Sequence, residues 1–217
     1  MTDNLTDEQR ADQARNWLRE NGKWLVAGLV LGIGGLFGWR QMDRIRATDA
    51  ETAAALFDEM IAAIRVSRTE RAAELGAEIT RSHDGTPYAD QARLALARLR
   101  MDAAAPDDAA KILQETMDRA SSEEVARIAR LRLGRVMIQQ ERYDDALAVL
   151  SVPADSQFAA RFHDVRGDAY YGMGTMEEAR REYKAALDAT DKTLTDTAYL
   201  QAKFDEVGGE PETVAAP

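Results

Sequence analysis

The stretch RGDAYYGMGTMEEARREYKAA, residues 166–186, decides the fold of this chain. Small residues and tyrosines stand in it at offsets of 0, 3, 12, 16 and 19, namely Gly167, Tyr170, Ala179, Tyr183 and Ala186. The Gly-Met-Gly segment between them is typical of a helix end, because glycine adopts the left-handed backbone that closes a helix. The stretch therefore predicts two antiparallel helices that touch where glycine and alanine let the backbones approach.

The same pattern recurs towards the N-terminus of the chain. Gly134 and Ala146 each precede their counterparts by 33 residues, and Leu150 takes the place of Tyr183. A weaker copy lies another 37 residues back, at 96–98 and 107–109, and residues 69–72 are a degenerate candidate. Periods of this length indicate a solenoid, and these offsets are those of the tetratricopeptide repeat. The predicted repeat-packing positions are Gly134, Ala146, Gly167, Tyr170, Ala179, Tyr183 and Ala186.

The body of the chain is therefore predicted to be an all-α, tetratricopeptide-repeat-like α-solenoid without strands. A last helix near 192–205 is expected to cap the stack, because a solenoid end must cover its apolar face. Residues 206–217 are expected to form a disordered tail. The predicted helix pairs are 45–66 with 69–82, 87–103 with 106–119, 122–140 with 143–151, and 156–173 with 176–189.

A second informative stretch is WLVAGLVLGIGGLFGW, residues 24–39, which carries no charge between Lys23 and Arg40. As a helix it would be about 24 Å long. A bilayer core is roughly 30 Å thick, and the two flanking cations can snorkel to make up the difference. A tryptophan stands at each end, where interfacial aromatic residues are enriched. We therefore predict a single N-terminal transmembrane helix over residues 23–40.

The glycines of this stretch favour a membrane over a buried core helix, because each costs about 1 kcal/mol against alanine in a helix in water. In a membrane, small residues four apart let two helices approach closely. A cleaved signal peptide is the other alternative, but 23 residues with five acids precede the stretch and no small-residue cleavage site comes after it. The predicted transmembrane docking seam consists of Gly28, Gly32 and Gly35 on one face, with Gly34 and Gly38 also four apart.

The leading segment, residues 1–22, is predicted to be a short cytosolic helix. Thr6 and Gln9 fit a capping box, and Asn21-Gly22 fits a helix stop. Its apolar face is compatible with an interfacial helix, a small docking helix or a solvated helix without a partner. Four basic residues before the apolar stretch against three after it favour an N-terminus on the cytoplasmic side.

Composition excludes several classes of function. The chain has 28 Lys and Arg against 38 Asp and Glu, a net charge of −10, which argues against nucleic acid as a partner. The absence of cysteine excludes disulfides and thiolate metal sites. His83 lies in a turn and His163 at a repeat-packing position, and no phosphate-loop, dinucleotide or zinc-protease motif occurs. We expect no catalytic residue, no cofactor and no metal site.

Tetratricopeptide-like repeats bind partners on a concave face that their first helices line. The alternative for each such residue is packing against a neighbouring repeat. Equivalent positions of the last two repeats give the candidate groove residues Ile128, Leu131, Arg135, Ile138, Arg161, Asp164, Asp168 and Tyr171.

The whole chain resembles the YfgM-like family, the ancillary subunits of the bacterial SecYEG translocon. The resemblance is sharpest at Glu20-Asn21-Gly22-Lys23, in the glycine-rich stretch and at its exit Gly38-Trp39-Arg40. It continues through Asn16-Trp17 upstream, and downstream through Leu131-Arg132-Leu133, Arg135-Val136 and Asp164-Val165-Arg166-Gly167-Asp168. It covers nearly the full length.

The resemblance implies a single-pass protein of the bacterial inner membrane, with its N-terminus in the cytoplasm and its repeat domain, residues 41–205, in the periplasm. The implied partners are SecYEG, a PpiD-like periplasmic chaperone, unfolded or nascent secreted proteins, and lipid around one helix. The implied role is to help hand secreted proteins to periplasmic chaperones. The alternative is a scaffold or adaptor for envelope complex assembly or stress signalling without direct client binding. A regulatory role ascribed to the family's N-terminal segment transfers less directly, since the leading residues here differ.

Overall fold

The computed structural model describes residues 7–151, 158–190 and 197–209, and every regular element within them is helical. Contacts divide the chain into two compact units, Met1–Glu51 and Thr52–Pro217. The predicted cap at Thr6 and residues 210–217 of the predicted tail 206–217 lie outside the described residues. The first residues of that tail are packed instead, because Glu206 ends the last helix and Val207 is buried in a cluster with Phe204. The helices are α1 (Asp7–Arg65), α2 (Thr69–Ser82), α3 (Pro87–Asp102), α4 (Pro106–Arg119), α5 (Glu123–Gln139), α6 (Tyr143–Val149), α7 (Ala159–Gly172), α8 (Met176–Ala189) and α9 (Ala198–Glu206).

Helix α1 runs through Asn21-Gly22, so the helix stop predicted there is wrong. A glycine that ends a helix adopts positive φ, and in the described residues Gly22 is not among the glycines that do so. The Asn21 side chain instead donates from Nδ2 to the carbonyl oxygen of Trp17, 3.0 Å away, which keeps it within the helical register. An asparagine that bonds back to the preceding turn is compatible with a continuing helix.

The apolar stretch belongs to α1, and those of its side chains that the structure describes are exposed. Trp24, Leu31 and Phe37 are 71%, 76% and 72% exposed. No single described helix is both long enough and apolar enough to cross a membrane. Two parts of α1, Arg15–Trp24 and Val26–Arg65, meet at a 42° bend, and together they are long and apolar enough. This is weak support for the predicted transmembrane helix.

The predicted helix hairpins are confirmed, with ends that differ by only a few residues except in the first pair. The helix predicted over residues 45–66 is the C-terminal part of α1. Each helix from α2 onward packs against the next one, and α5 also packs against α7. This i to i+2 contact is what makes successive hairpins a stack rather than a string of separate pairs. Proline stands at the first position of α3 and of α4, where its missing N–H costs nothing.

The hairpins close at the small residues of the repeat. A Cβ added to Gly167 would lie 2.4 Å from Cε1 of Tyr183, and one added to Gly134 would lie 2.9 Å from Cδ1 of Leu150. Ala146, Ala179 and Ala186 are fully buried, and Tyr170 packs on the cluster formed by α8 and α9. Gly134 and Gly167 thus leave space for a side chain of the facing segment, and the fit is tighter at Gly167.

A buried polar cluster fixes α3 against the start of α5. Asp90 and Arg93 are 2% and 3% exposed, with Nη1 of Arg93 3.1 Å from Oδ1 of Asp90. The second carboxylate oxygen of Asp90 accepts hydrogen bonds from the backbone N and the hydroxyl of Ser121, at 2.8 and 2.6 Å. Arg93 also pairs with Asp84 in the α2–α3 turn. Two buried charges are therefore paired and hydrogen-bonded, as burial requires.

Candidate partner-binding groove

An open groove of about 600 Å³ lies between α3 and α5, and we call it the α3–α5 groove. The C-terminal part of α1 and one residue of α4 complete its wall. Its size is within the range of sites that take a small ligand or a few side chains of a peptide. It is lined by Phe57, Gln91, Leu94, Ala95, Ala97, Arg98, Met101, Leu113, Arg132, Arg135, Val136 and Gln139.

The floor of the groove is apolar. Ala97, Leu113 and Val136 belong to the buried cluster between the second and third hairpins, and Leu94 and Met101 pack on that cluster from the side. The floor therefore extends a core cluster to the surface, which gives a partner's apolar side chain a surface to pack on.

Three arginines are the only charged residues in the groove lining that the structure describes. Arg98 approaches Asp102 one turn away at 3.4 Å, and Arg135 approaches Asp164 at 3.7 Å. Arg132 donates from Nη1 to the backbone oxygen of Leu94 at 3.4 Å. These contacts are long for charge-assisted hydrogen bonds, which are usually 2.7–2.9 Å.

The electrostatic state of Arg132 reflects this arrangement. Burial lowers the pKa of Arg132 below its ordinary value, and the positive charges of Arg98 and Arg135 lower it further. Arginine stays protonated in proteins, so partial burial and two neighbouring cations make this an unfavourable environment for its charge. A carboxylate entering the groove would relieve this repulsion.

A smaller pocket of about 290 Å³ lies where α9 packs on α7 and α8. Nζ of Lys203 is 2.7 Å from both Oδ1 of Asp164 and Oδ1 of Asp168, and it stands 5.5 Å from the ring centre of Tyr183. Burial opposes the charge of Lys203, but its hydrogen bonds to the two aspartates outweigh burial and raise its pKa. Burial and then Asp168 raise the pKa of Tyr183. Because its charges are already paired at short range, this pocket is better explained as the attachment of the capping helix.

The predicted groove residues are distributed over four environments. Arg135 lines the α3–α5 groove, whereas Asp168 and Tyr171 line the smaller pocket. Asp164 is bonded to Lys203, and Arg161 is exposed. The three apolar candidates, Ile128, Leu131 and Ile138, belong to the cluster between α5 and α7. Whether any of the eight contacts a partner remains a prediction.

Most of the groove was not predicted, although its signal is present in the sequence. Spacings of three and four residues place side chains on one face of a helix. Such spacings relate Arg132 to Arg135 on α5. On α3 they relate Leu94, Arg98 and Met101. The predicted groove positions come from the last two repeats by analogy. The arginine of α3 that lines the groove lies instead in the weaker, earlier copy of the repeat.

The predicted docking seam lies on α1. A Cβ added at any of its five glycines would meet no heavy atom within 4 Å beyond the local helix backbone. Within the described residues, no group of three or more His, Asp or Glu side chains is placed to hold a metal ion. In the Ser-His-Asp turn, Oδ2 of Asp84 accepts from Nη1 of Arg119 at 3.0 Å.

Comparison with known proteins bears on the family and the fold. The model of a tetratricopeptide repeat-like domain matches residues 15–209. A Neisseria gonorrhoeae protein named ancillary SecYEG translocon subunit is 28% identical over 210 residues, which cover 95% of this chain and 100% of that protein. An Escherichia coli protein of the same name is 27% identical over 201 residues, covering 93% and 96%. These names confirm the resemblance drawn from the sequence.

Solved structures of MamA share the solenoid fold. MamA from Desulfovibrio magneticus, from residue 41 to its end, gives a TM-score of 0.53 at 18% identity and covers 71% of this chain and 92% of that one. A double mutant of MamA gives a TM-score of 0.52 at 19% identity, covering 63% and 74%. At this identity the likeness concerns the fold alone.

Proposed function

Since the chain belongs to the tetratricopeptide repeat-like domain family, we propose that it acts without catalysis, as a membrane-anchored ancillary subunit of the SecYEG translocon. It helps hand secreted proteins to periplasmic chaperones and binds its partners through the repeat domain. The observation that carries the binding role is the α3–α5 groove, an apolar floor open to solvent and edged by weakly compensated cations. A surface of this kind offers a partner both apolar contact and charge.

The relatives support the translocon as the place of action. Proteins named ancillary SecYEG translocon subunit align with this chain over both α1 and the hairpins, not over the repeats alone. The shared length covers the apolar stretch, which a repeat adaptor free in solution would not need. A PpiD-like chaperone is the proposed periplasmic neighbour.

The proposed anchor is residues 23–40. Its tryptophans and phenylalanine are among the most exposed large apolar side chains that the structure describes. Their exposure to water is unfavourable, and contact with lipid removes that cost in free energy. Nζ of Lys23 lies 5.9 Å from the ring centre of Trp24, so a cation and an indole meet at one end of the stretch. Lipid surrounds most of this helix, and the glycine seam contacts another transmembrane helix. The N-terminus is cytoplasmic and the repeat domain periplasmic.

Site-specific photo-crosslinking in intact cells tests the proposed contact. A crosslinking amino acid placed at Gly28 or Gly32 is expected to give adducts with SecYEG subunits or a PpiD-like protein. The matched control is Val30, which lies on the opposite face of the same helix and is expected to give lipid adducts. Lipid adducts at both faces would reject the docking seam.

A second crosslinking position separates client handover from scaffolding. A crosslinker at Gln139, in the groove lining, is expected to capture secreted chains during their export. Glu141, an exposed residue beyond the end of α5, serves as the control. Capture of only folded envelope proteins from Gln139 would support the scaffold alternative.

A C-terminal reporter that is active only outside the cytoplasm tests the orientation. An inactive reporter on a stably produced protein would reject a periplasmic repeat domain.

A further inference from the structure

We propose that the α3–α5 groove selects extended segments in which apolar side chains are interspersed with aspartate or glutamate side chains. This inference rests on the proposed function and names the kind of client segment that the groove receives. Its occupant is an internal segment of a polypeptide, bound through side-chain carboxylates, rather than a chain terminus.

The first support is the contrast between the groove and the rest of the chain. The chain has ten more acidic than basic residues, yet the described groove lining holds three arginines and no acid. The smaller pocket under α9 differs, because its lining holds two acids, Asp168 and Glu206, and one lysine that is already paired with Asp168. A cationic groove in an acidic protein attracts anionic segments locally, while the remaining surface repels them.

The second support is how the groove arginines are paired. Several arginines elsewhere in the repeat domain meet carboxylates at short range, such as Arg127 with Glu123 at 2.7 Å and Arg166 with Glu182 at 2.9 Å. The polar contacts of the groove arginines described above are 3.4–3.7 Å long, and that of Arg132 is to a backbone oxygen. Their guanidinium groups therefore keep donors available for the bidentate pairing that arginine makes with a carboxylate.

The third support is the position of these charges relative to the apolar floor. Arg98 on α3 and the pair Arg132 and Arg135 on α5 stand on the two helices that border the floor. An extended segment that lies along the groove can direct some of its side chains to the floor and others to the arginines on α3 and α5. A basic segment would bring like charge against three arginines, which is unfavourable by the same reasoning.

Binding of blocked synthetic peptides to the full-length protein in detergent micelles tests this selection. Three fluorescent peptides share the same apolar residues and carry glutamate, glutamine or lysine between them, with acetylated and amidated ends. We expect the glutamate peptide to bind about tenfold more tightly than the glutamine peptide, and the lysine peptide most weakly. The glutamate preference is expected to shrink with added salt, because the side chains of Arg98 and Arg135 are 77% and 55% exposed.

Variants of the protein assign the preference to the groove. The Arg132→Gln, Arg135→Gln double variant is expected to weaken binding of the glutamate peptide about tenfold and to leave the glutamine peptide within about twofold. Arg100→Gln is the control, because it removes an exposed charge from α3 outside the groove lining. Arg98→Gln is a further single variant at a side chain that is 77% exposed, so folding should tolerate it. Circular dichroism verifies that each variant retains its helices.

The outcomes separate this inference from the proposed function. Equal binding of all three peptides would overturn the acidic preference while leaving client binding in place. Failure of every peptide to bind would overturn client binding by the groove and the preference with it. The glutamine peptide can also be made with a free carboxyl terminus. If that peptide binds tightly and internal glutamate has no effect on affinity, the groove binds a chain terminus and the choice of an internal segment is overturned.

Discussion

Replacing Gly167 by alanine should destabilise the repeat domain, although alanine is the better helix former. The added Cβ would lie 2.4 Å from Cε1 and 2.5 Å from Cδ1 of Tyr183. Carbon atoms in contact are separated by roughly 3.5 Å or more, so one of the two helices must move by about 1 Å. The ring cannot swing aside easily, because Tyr183 is 2% exposed and its hydroxyl donates to Oδ1 of Asp168 at 2.9 Å.

The expected magnitude results from two opposing contributions. Overpacking a rigid contact costs up to about 3 kcal/mol. Alanine in place of glycine within a helix recovers about 1 kcal/mol. The net loss is therefore about 2 kcal/mol, which corresponds to a fall in Tm of roughly 4–8 °C for a domain of this size.

Gly134→Ala is the matched comparison. Its added Cβ would lie 2.9 Å from Cδ1 and 3.0 Å from Cδ2 of Leu150, which are the ends of a flexible side chain. The nearest contact is about 0.5 Å longer than at Gly167, so a smaller shift relieves it, and the gain in helix propensity offsets the remainder. We expect the Tm of Gly134→Ala to stay within about 3 °C of the parent.

Thermal unfolding followed by far-ultraviolet circular dichroism is the suitable assay. Tryptophan fluorescence would not report on the repeats, because Trp17, Trp24 and Trp39 all lie in α1. The double variant Gly167→Ala, Tyr183→Leu reproduces the small–Leu arrangement of the preceding repeat and should lose less than the sum of its single variants. A Gly167→Ala protein with unchanged or raised Tm would refute the reasoning.

Three further predictions concern the same domain. Lys203→Met should lower the free energy of unfolding, measured by urea denaturation, by about 2 kcal/mol, because two carboxylates 2.7 Å away lose their cation. The control Lys111→Met, which removes an exposed ion pair, should leave the free energy of unfolding unchanged. The pKa of Tyr183 is raised in the folded state, so the phenol loses its proton at lower pH in the unfolded state than in the folded state. The free energy of unfolding should therefore fall as pH rises above about 10, and Tyr183→Phe should make that fall smaller. Ser122→Ala should cost about 1 kcal/mol in the same denaturation assay, because the Ser122 hydroxyl accepts from the N–H of Val125 at the start of α5.

The hairpins were predictable because their signals are local. Glycine, proline and acidic residues mark helix ends within a few positions, and the small residues of the repeat mark where helices touch. Pro87 and Pro106 begin α3 and α4 as such signals predict. The error at Asn21-Gly22 has the same origin, since one dipeptide fits both a helix end and a helix that continues. The choice depends on the residues after the dipeptide, which here form a long stretch able to remain helical.

The groove was less predictable because it depends on which side chains face each other across different hairpins. Repeat position assigned Leu131 to a concave face, yet the structure places Leu131 in a cluster with Phe158 and Phe162 of α7 and its approach. Whether Leu131 faces a groove or a core depends on the size of the side chains opposite it, which belong to residues distant in sequence. The position of a residue within its repeat does not determine the size of those side chains.

The position of the groove results from this difference in volume. Between α5 and α7 the aromatic rings of Phe158 and Phe162 fill the space and bury Val165 completely. Between α3 and α5 the facing residues include Ala95 and Ala97, which are too small to fill an equivalent space. Because the equivalent space between α5 and α7 is filled, this gap is a feature of the α3–α5 interface rather than of the repeat fold. Filling it with a large residue at Ala95 would therefore be expected to close the groove while leaving the helices in place.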